Sequence, residues 1–351
     1  MAAWSWLDER LGVGELLESQ RHKAIPQHRH TWAYFGGGLI AVLFGIQVVS
    51  GLLLVLYYQP TIETAHESLA YLISEVPYGW AIRSVHRWTA HFVVVAVLVH
   101  LVSTMLLKAY RTPRELTWMT GCALLAVALG FGFTGYLLPW DEVSVAATKV
   151  GTGMPASLPL AGPWLVEVLR GGQDVTGATL TRFYGLHVCY LPLFLMVLAA
   201  VHFRMVQRLG MSLPPSVERS SVDAEALPFW PDFVCREAIV WLLVLGAILT
   251  LALLWPTGLE PKADLMAPAA EGIKPEWYFL FIYQTLKLFP AKVGLVAGES
   301  LAIGLAAVVA TLLPLLPFLD RGGAQRRRVV AICSYFLLAY GVVMSIWGLL
   351  S

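Results

Sequence analysis

The chain has 351 residues, of which 58% are hydrophobic and only 13% charged, with a formal net charge of +1. Soluble domains carry roughly twice that share of charge. The composition therefore counts against a soluble enzyme, a disordered chain or a disulfide scaffold, and the charge gives no signal for nucleic acid. The expected fold is an all-α polytopic membrane protein in contact with lipid, because backbone that enters lipid must satisfy its own hydrogen bonds.

In chain order, residues 1–31 read as a polar, amphipathic segment without the apolar core of a cleavable signal peptide. About seven apolar stretches follow, each near the roughly 20 residues a helix needs to cross a bilayer. They cover 32–56, 85–107, 117–138, 183–205, 236–256, 300–319 and 329–349. Segments 142–170 and 272–290 are too short or too broken by Gly and Pro to cross, and read as helices or loops on one membrane face. A polar, Pro-rich stretch separates a four-span part from a three-span part. The predicted organisation is a segment 1–31, a four-helix bundle 32–210, a linker 211–235 and a three-helix part 236–351.

Fifteen of the 24 basic residues, including Arg21, Arg219 and the run Arg326–Arg328, fall on the side of the N-terminus. The positive-inside rule makes that the cytoplasmic, negative (n) side and puts the C-terminus on the positive (p) side. A bacterial inner membrane is the expected location. The four cysteines have no CxxC spacing, which argues against a CxxCH-attached haem.

Ionisable residues inside a membrane are costly and mark function. The second span carries His86 and His100, 14 residues apart. This is about 21 Å of helix and within about 40° of four full turns. The fourth span carries His187 and His202, 15 apart. The two spans run in the same direction, so His86 sits level with His187 and His100 with His202. Each level offers two imidazoles, too few for zinc but a full axial set for a haem iron. His91 lies about 140° around the helix from His86 and reads as a packing or hydrogen-bonding residue. Gly37 and Gly51 in the first span repeat the 14-residue step, as do Gly121 and Gly135 in the third. Missing side chains at both depths let a flat macrocycle approach the backbone. Arg83 and Arg87 flank His86 as candidate propionate partners, with Arg114 a candidate at the other level.

The stretches HRWTAH (86–91), PRELTWMTG (113–121), GYLLPWDEV (135–143), TLTRFYGLH (179–187) and PEWYFLF (275–281) resemble cytochrome b of the cytochrome bc complexes. Residues up to about 215 are most similar to the chloroplast-type cytochrome b6, and the remainder to subunit IV, here on one chain. The resemblance implies two non-covalent b-type haems, one on His86 and His187 near the p side and one on His100 and His202 near the n side. It implies a p-side quinol pocket lined by Pro275, Glu276, Trp277 and Tyr278, with Tyr136 beside it and Glu276 accepting a proton. The implied partners are a Rieske iron–sulfur protein and a c-type cytochrome, in a homodimeric complex. The implied activity is a quinol–cytochrome c oxidoreductase working by a Q cycle. The chloroplast type has a cysteine where this chain has Phe35, so no covalent c-type haem is expected. The n-side quinone residues of the respiratory branch have no clear match, and Arg29, Arg208 and Asp232 stand as candidates there.

Two other readings share the membrane setting. A dihaem anchor for a dehydrogenase would not need the long connection carrying PEWY. A proton-coupled transporter would show matched broken helices in two repeats, and no repeat is visible.

Overall fold

The computed structural model describes residues 2–11, 14, 18, 23–158, 161–218, 226–266 and 272–351. Arg21 and Arg219 lie outside the described residues, as do parts of the 142–170 segment, the 211–235 linker and the connection before PEWY. Helix α1 covers Ala2–Leu11. Helix α2 (Gly36–Val55) follows a short turn of 3-10 helix, Thr31–Phe35. Then come α3 (Ala65–Ser74), α4 (Gly79–Leu106), α5 (Glu115–Leu137), α6 (Glu142–Gly153) and α7 (Gly162–Arg170). Helix α8 runs over Gly177–Leu209 and α9 over Phe229–Leu254. The chain ends with α10 (Leu280–Leu288), α11 (Gly298–Leu312) and α12 (Ala324–Leu350).

Among the described residues, six helices are long and apolar enough to cross a membrane: α4, α5, α8, α9, α12 and α2 with its preceding turn. The sixth expected span is shorter than its apolar stretch. Helix α11 has 15 residues, about 22 Å, and the chain then turns at Leu313–Leu315 before a short helix, Leu316–Leu319. Pro314 and Pro317 explain the break, since proline supplies no N–H and clashes with the preceding turn.

Helices α2, α4, α5 and α8 form the bundle: α2 packs on α4, α4 on α5, and α5 on α8. Helix α9 closes over α4 and α2, where Ile248 is fully buried beside Leu43 and Val93. A two-stranded antiparallel ribbon, β1 (Ala24–Pro26) with β2 (Ala226–Pro228), ties the segment before α2 to the start of α9. At the same end Asp320 accepts from the Tyr110 hydroxyl at 2.9 Å and pairs with Arg111 at 2.8 Å, joining the α4–α5 turn to the last three-helix part. A buried carboxylate needs such partners.

The opposite end is built by α3, α6 and α7. Helix α6 starts with a capping box: the Asp141 carboxylate accepts from Ser144 N–H and the Ser144 hydroxyl accepts from Asp141 N–H. Arg170 then clamps α7 onto α6, donating to the Thr152 hydroxyl and to the Lys149 carbonyl, each at 2.7 Å. Gly79 opens α4 where a Cβ would overlap the Leu72 carbonyl, so only glycine permits that close approach.

Candidate functional site

The bundle brings the four histidines of α4 and α8 together in two pairs. The rings of His86 and His187 stand with centroids 6.4 Å apart and planes at 70°, which leaves a gap between the imidazoles rather than a stack. His202 is the histidine within electrostatic reach of His100. Helices α4 and α8 therefore run in the same direction.

The hydroxyl groups around these rings decide their tautomers. The Thr134 hydroxyl donates to the Gly130 carbonyl at 2.8 Å and meets His187 Nδ1 at 3.1 Å. The Thr120 hydroxyl donates to the Leu116 carbonyl at 2.9 Å and meets His202 Nδ1 at 3.0 Å. The Ser50 hydroxyl donates to the Ile46 carbonyl at 2.7 Å and meets His86 Nδ1 at 2.9 Å. Each hydroxyl has one proton, already spent on its own helix, so each accepts from an imidazole Nδ1–H. The three rings thus keep a bare Nε2, the form that binds a metal. His100 differs: its buried Nδ1 has no hydrogen-bond partner among the described residues.

Glycines face the same rings. A Cβ built on Gly135 would lie 2.6 Å from His187 Cε1, one on Gly51 3.2 Å from His86 Cε1, and one on Gly121 3.4 Å from His202 Cε1. Gly37 behaves differently: a Cβ there would meet no atom within 4 Å, and it is Gly36 that approaches His100 Nδ1, at 2.7 Å. The arginines expected at propionates have protein partners. Arg83 donates to the carbonyls of Thr257 and Gly258 at 2.6 and 2.8 Å. Arg114 donates to the carbonyls of Gly210 and Leu209 at 2.7 and 2.9 Å. Arg87 is ion-paired with Glu276 at 3.0 Å.

That last pair places the PEWY stretch against the bundle at the His86 level. Pro275 and Glu276 lead into a short turn of 3-10 helix, Trp277–Phe279, that feeds α10. The Glu276 side chain is 13% exposed. Tyr136, at the end of α5, lies within electrostatic reach of Glu276. The Tyr278 hydroxyl reaches the α5 backbone: a Cβ on Gly132 would come 2.5 Å from it. Burial, with the Glu276 charge adding to it, pushes the Tyr278 phenol well above its ordinary pKa, so Tyr278 stays a hydrogen-bond donor.

This arrangement has close counterparts. Residues 21–210 match the family model described as Cytochrome b/b6/petB, and residues 262–351 match Cytochrome b(C-terminal)/b6/petD. The chain belongs to the cytochrome b family. It is 40% identical, over 342 residues, to the cytochrome bc complex cytochrome b subunit of Chlorobaculum thiosulfatiphilum, covering 97% of this chain and 79% of that one. It is 41% identical over 213 residues to cytochrome b6 of Prochlorococcus marinus strain MIT 9515, covering 61% of this chain and 97% of that one. A solved structure titled "Hyperthermophilic respiratory Complex III" superposes with a TM-score of 0.85 at 30% identity, covering 98% of this chain and 90% of its counterpart. The protein is an integral membrane cytochrome b subunit of a cytochrome bc complex of the Complex III kind, in which cytochrome b is the core catalytic subunit.

Within this cytochrome b several participants were not legible in the sequence. Ser50, Thr120 and Thr134 are one kind. The 14-residue step between Thr120 and Thr134, the same as between Gly121 and Gly135, was their signal. His91, expected to pack or hydrogen-bond, accepts a hydrogen bond from the Trp277 indole at 3.2 Å; that this partner belongs to PEWY was not legible. Glu237, near the start of α9, is buried with its carboxylate against Gly38, two residues along α2 from the glycine that meets His100. The Phe35 ring packs on Phe233 with centroids 5.1 Å apart.

Proposed function

We propose that this cytochrome b oxidises quinol at the PEWY pocket and passes electrons across the membrane to a quinone near His100. The observation that carries the reading is the pair of two-histidine levels, His86 facing His187 and His100 near His202, with Nδ1 of His86, His187 and His202 each against a helix hydroxyl. A b-type haem fits that donor set, and glycines rather than side chains flank the rings. His86 and His187 would hold one haem, and His100 and His202 the other. Bound there, the haems supply one-electron transfer between the two faces.

The chain's own residues handle binding and protons. Pro275, Trp277, Tyr278 and Tyr136 wall the quinol pocket. Glu276, held beforehand by its ion pair with Arg87, accepts a quinol proton. At the other level, the buried Glu237 carboxyl is placed to exchange a proton with quinone. Phe35, packed on Phe233, stands where the chloroplast type has its haem-binding cysteine, so no covalent haem is assigned there. The PEWY pocket lies on the p side by the positive-inside reading, with the N-terminus in the bacterial cytoplasm. One quinol electron would leave to a Rieske protein and on to a c-type cytochrome, in a homodimeric assembly. Residues 32–210 act as the haem-binding unit and 236–351 as the unit that delivers the pocket.

Adding decylubiquinol or decylmenaquinol to the oxidised, purified complex without oxygen tests this. Rapid b-haem reduction by at least one of them is expected. Failure of both to reduce the haems, in a preparation that dithionite reduces fully, would refute quinol oxidation here.

A further inference from the structure

We propose that His91 is a positioning residue of the quinol pocket, anchoring Trp277 by a bond that does not depend on the charge of Glu276. The inference rests on the quinol-pocket reading above and deepens it.

Arg87 and His91 are four residues apart on α4, which sets them one above the other on one helix face. They grip consecutive residues of the motif. Arg87 pairs with the Glu276 carboxylate at 3.0 Å, and His91 Nδ1 accepts the Trp277 indole N–H at 3.2 Å. Trp88 packs edge-on against the His91 ring with centroids 5.8 Å apart, and its own indole N–H is spent on the Trp255 carbonyl at 3.1 Å. An indole N–H is a donor only and needs an acceptor when it leaves water. The turn it belongs to is a mere three residues long and has no side-chain cap, so its position depends on side-chain contacts, of which the grip from α4 is the one on Trp277.

The two contacts respond oppositely to the reaction. When Glu276 takes a proton, its carboxylate becomes neutral and the ion pair with Arg87 loses its Coulomb attraction. The Trp277–His91 bond joins two uncharged groups and persists. It also fixes the His91 tautomer. Nδ1 accepts, so the ring proton sits on Nε2, opposite to His86, His187 and His202. The sequence is consistent with this, because His91 lies about 140° around α4 from His86. His91 thus holds the pocket wall in register while the ion pair opens and closes.

The test uses the purified complex with decylubiquinol as donor, or decylmenaquinol if only that one is oxidised, and separates KM from kcat. His91→Leu removes the acceptor and is expected to raise the quinol KM about fivefold, with both haems present by spectrum. His91→Asn places an oxygen where Nδ1 lies and is expected to restore a KM near the wild type. Trp277→Phe removes the donor, and should match His91→Leu. Combined, the two should give no further increase. If His91→Leu fails to hold haem, Trp277→Phe and His91→Asn carry the comparison. A wild-type KM in Trp277→Phe, additive effects in the double variant, or a His91→Asn no better than His91→Leu would overturn the anchor. Glu276→Gln in the same assay separates this from the pocket itself. A lowered kcat there alongside an unchanged KM in Trp277→Phe sinks only the anchor, whereas wild-type kcat in Glu276→Gln sinks the pocket reading first.

Discussion

Replacing His86 by alanine is expected to remove one b haem and leave the other, and replacing His100 is expected to remove the opposite one. The 14 residues between them put the two rings about 21 Å apart along α4, and each faces a different partner on α8. Effects at sites so far apart are independent. At its own level the loss is large, since one imidazole remains and the iron loses an axial ligand. His187→Ala should leave the same residual spectrum as His86→Ala, and His202→Ala the same as His100→Ala. Visible spectra of the four purified variants check this. Loss of the same haem from His86→Ala and His100→Ala would refute the pairing by depth. Ser50, Thr120 and Thr134 add a gradation. Removing one of these hydroxyls frees the imidazole tautomer without deleting a ligand, so a weakened haem rather than a lost one is the outcome.

Glu276→Gln is expected to slow quinol oxidation about 100-fold with both haems retained. The glutamine keeps the size and the hydrogen-bonding reach of the side chain but accepts no proton. The substitution also replaces the ion pair with Arg87 by a weaker hydrogen bond. Glu276 is only 13% exposed, so no bulk water stands ready to take over the proton transfer. Steady-state turnover with decylubiquinol or decylmenaquinol, read together with the dithionite-reduced spectrum, checks this. Wild-type turnover would remove the proton role assigned to Glu276.

The spans were legible because apolar runs of about 20 residues are a coarse signal. Where the pattern failed, proline explains it. The sixth run stays apolar through residue 319, but Pro314 and Pro317 stop α11 at Leu312. The histidine levels were legible because a helix turns residue spacing directly into depth and facing. At three of the four expected glycines a Cβ would approach a histidine ring, Gly37 has open space instead, and Gly36, which the 14-residue step did not pick out, faces His100.

Contacts between distant segments were not legible. Arg87 and Glu276 are 189 positions apart, and His91 and Trp277 186. Nothing periodic in the chain announces them. The carbonyls of Thr257 and Gly258 that hold Arg83 likewise belong to a loop with no side-chain signature. Glu237 carries no sequence signal that sets it apart from other charges at span ends. Its burial comes from Gly38 across the helix pair, a packing fact rather than a local one.

The measurement that bears most directly on the whole account is the haem b content of the purified chain, from a dithionite-reduced minus oxidised spectrum with pyridine haemochrome quantitation. Two b haems per chain are expected, both extractable by acid acetone because neither is covalently attached. One haem or none per chain, or a haem that resists extraction from this chain, would contradict it.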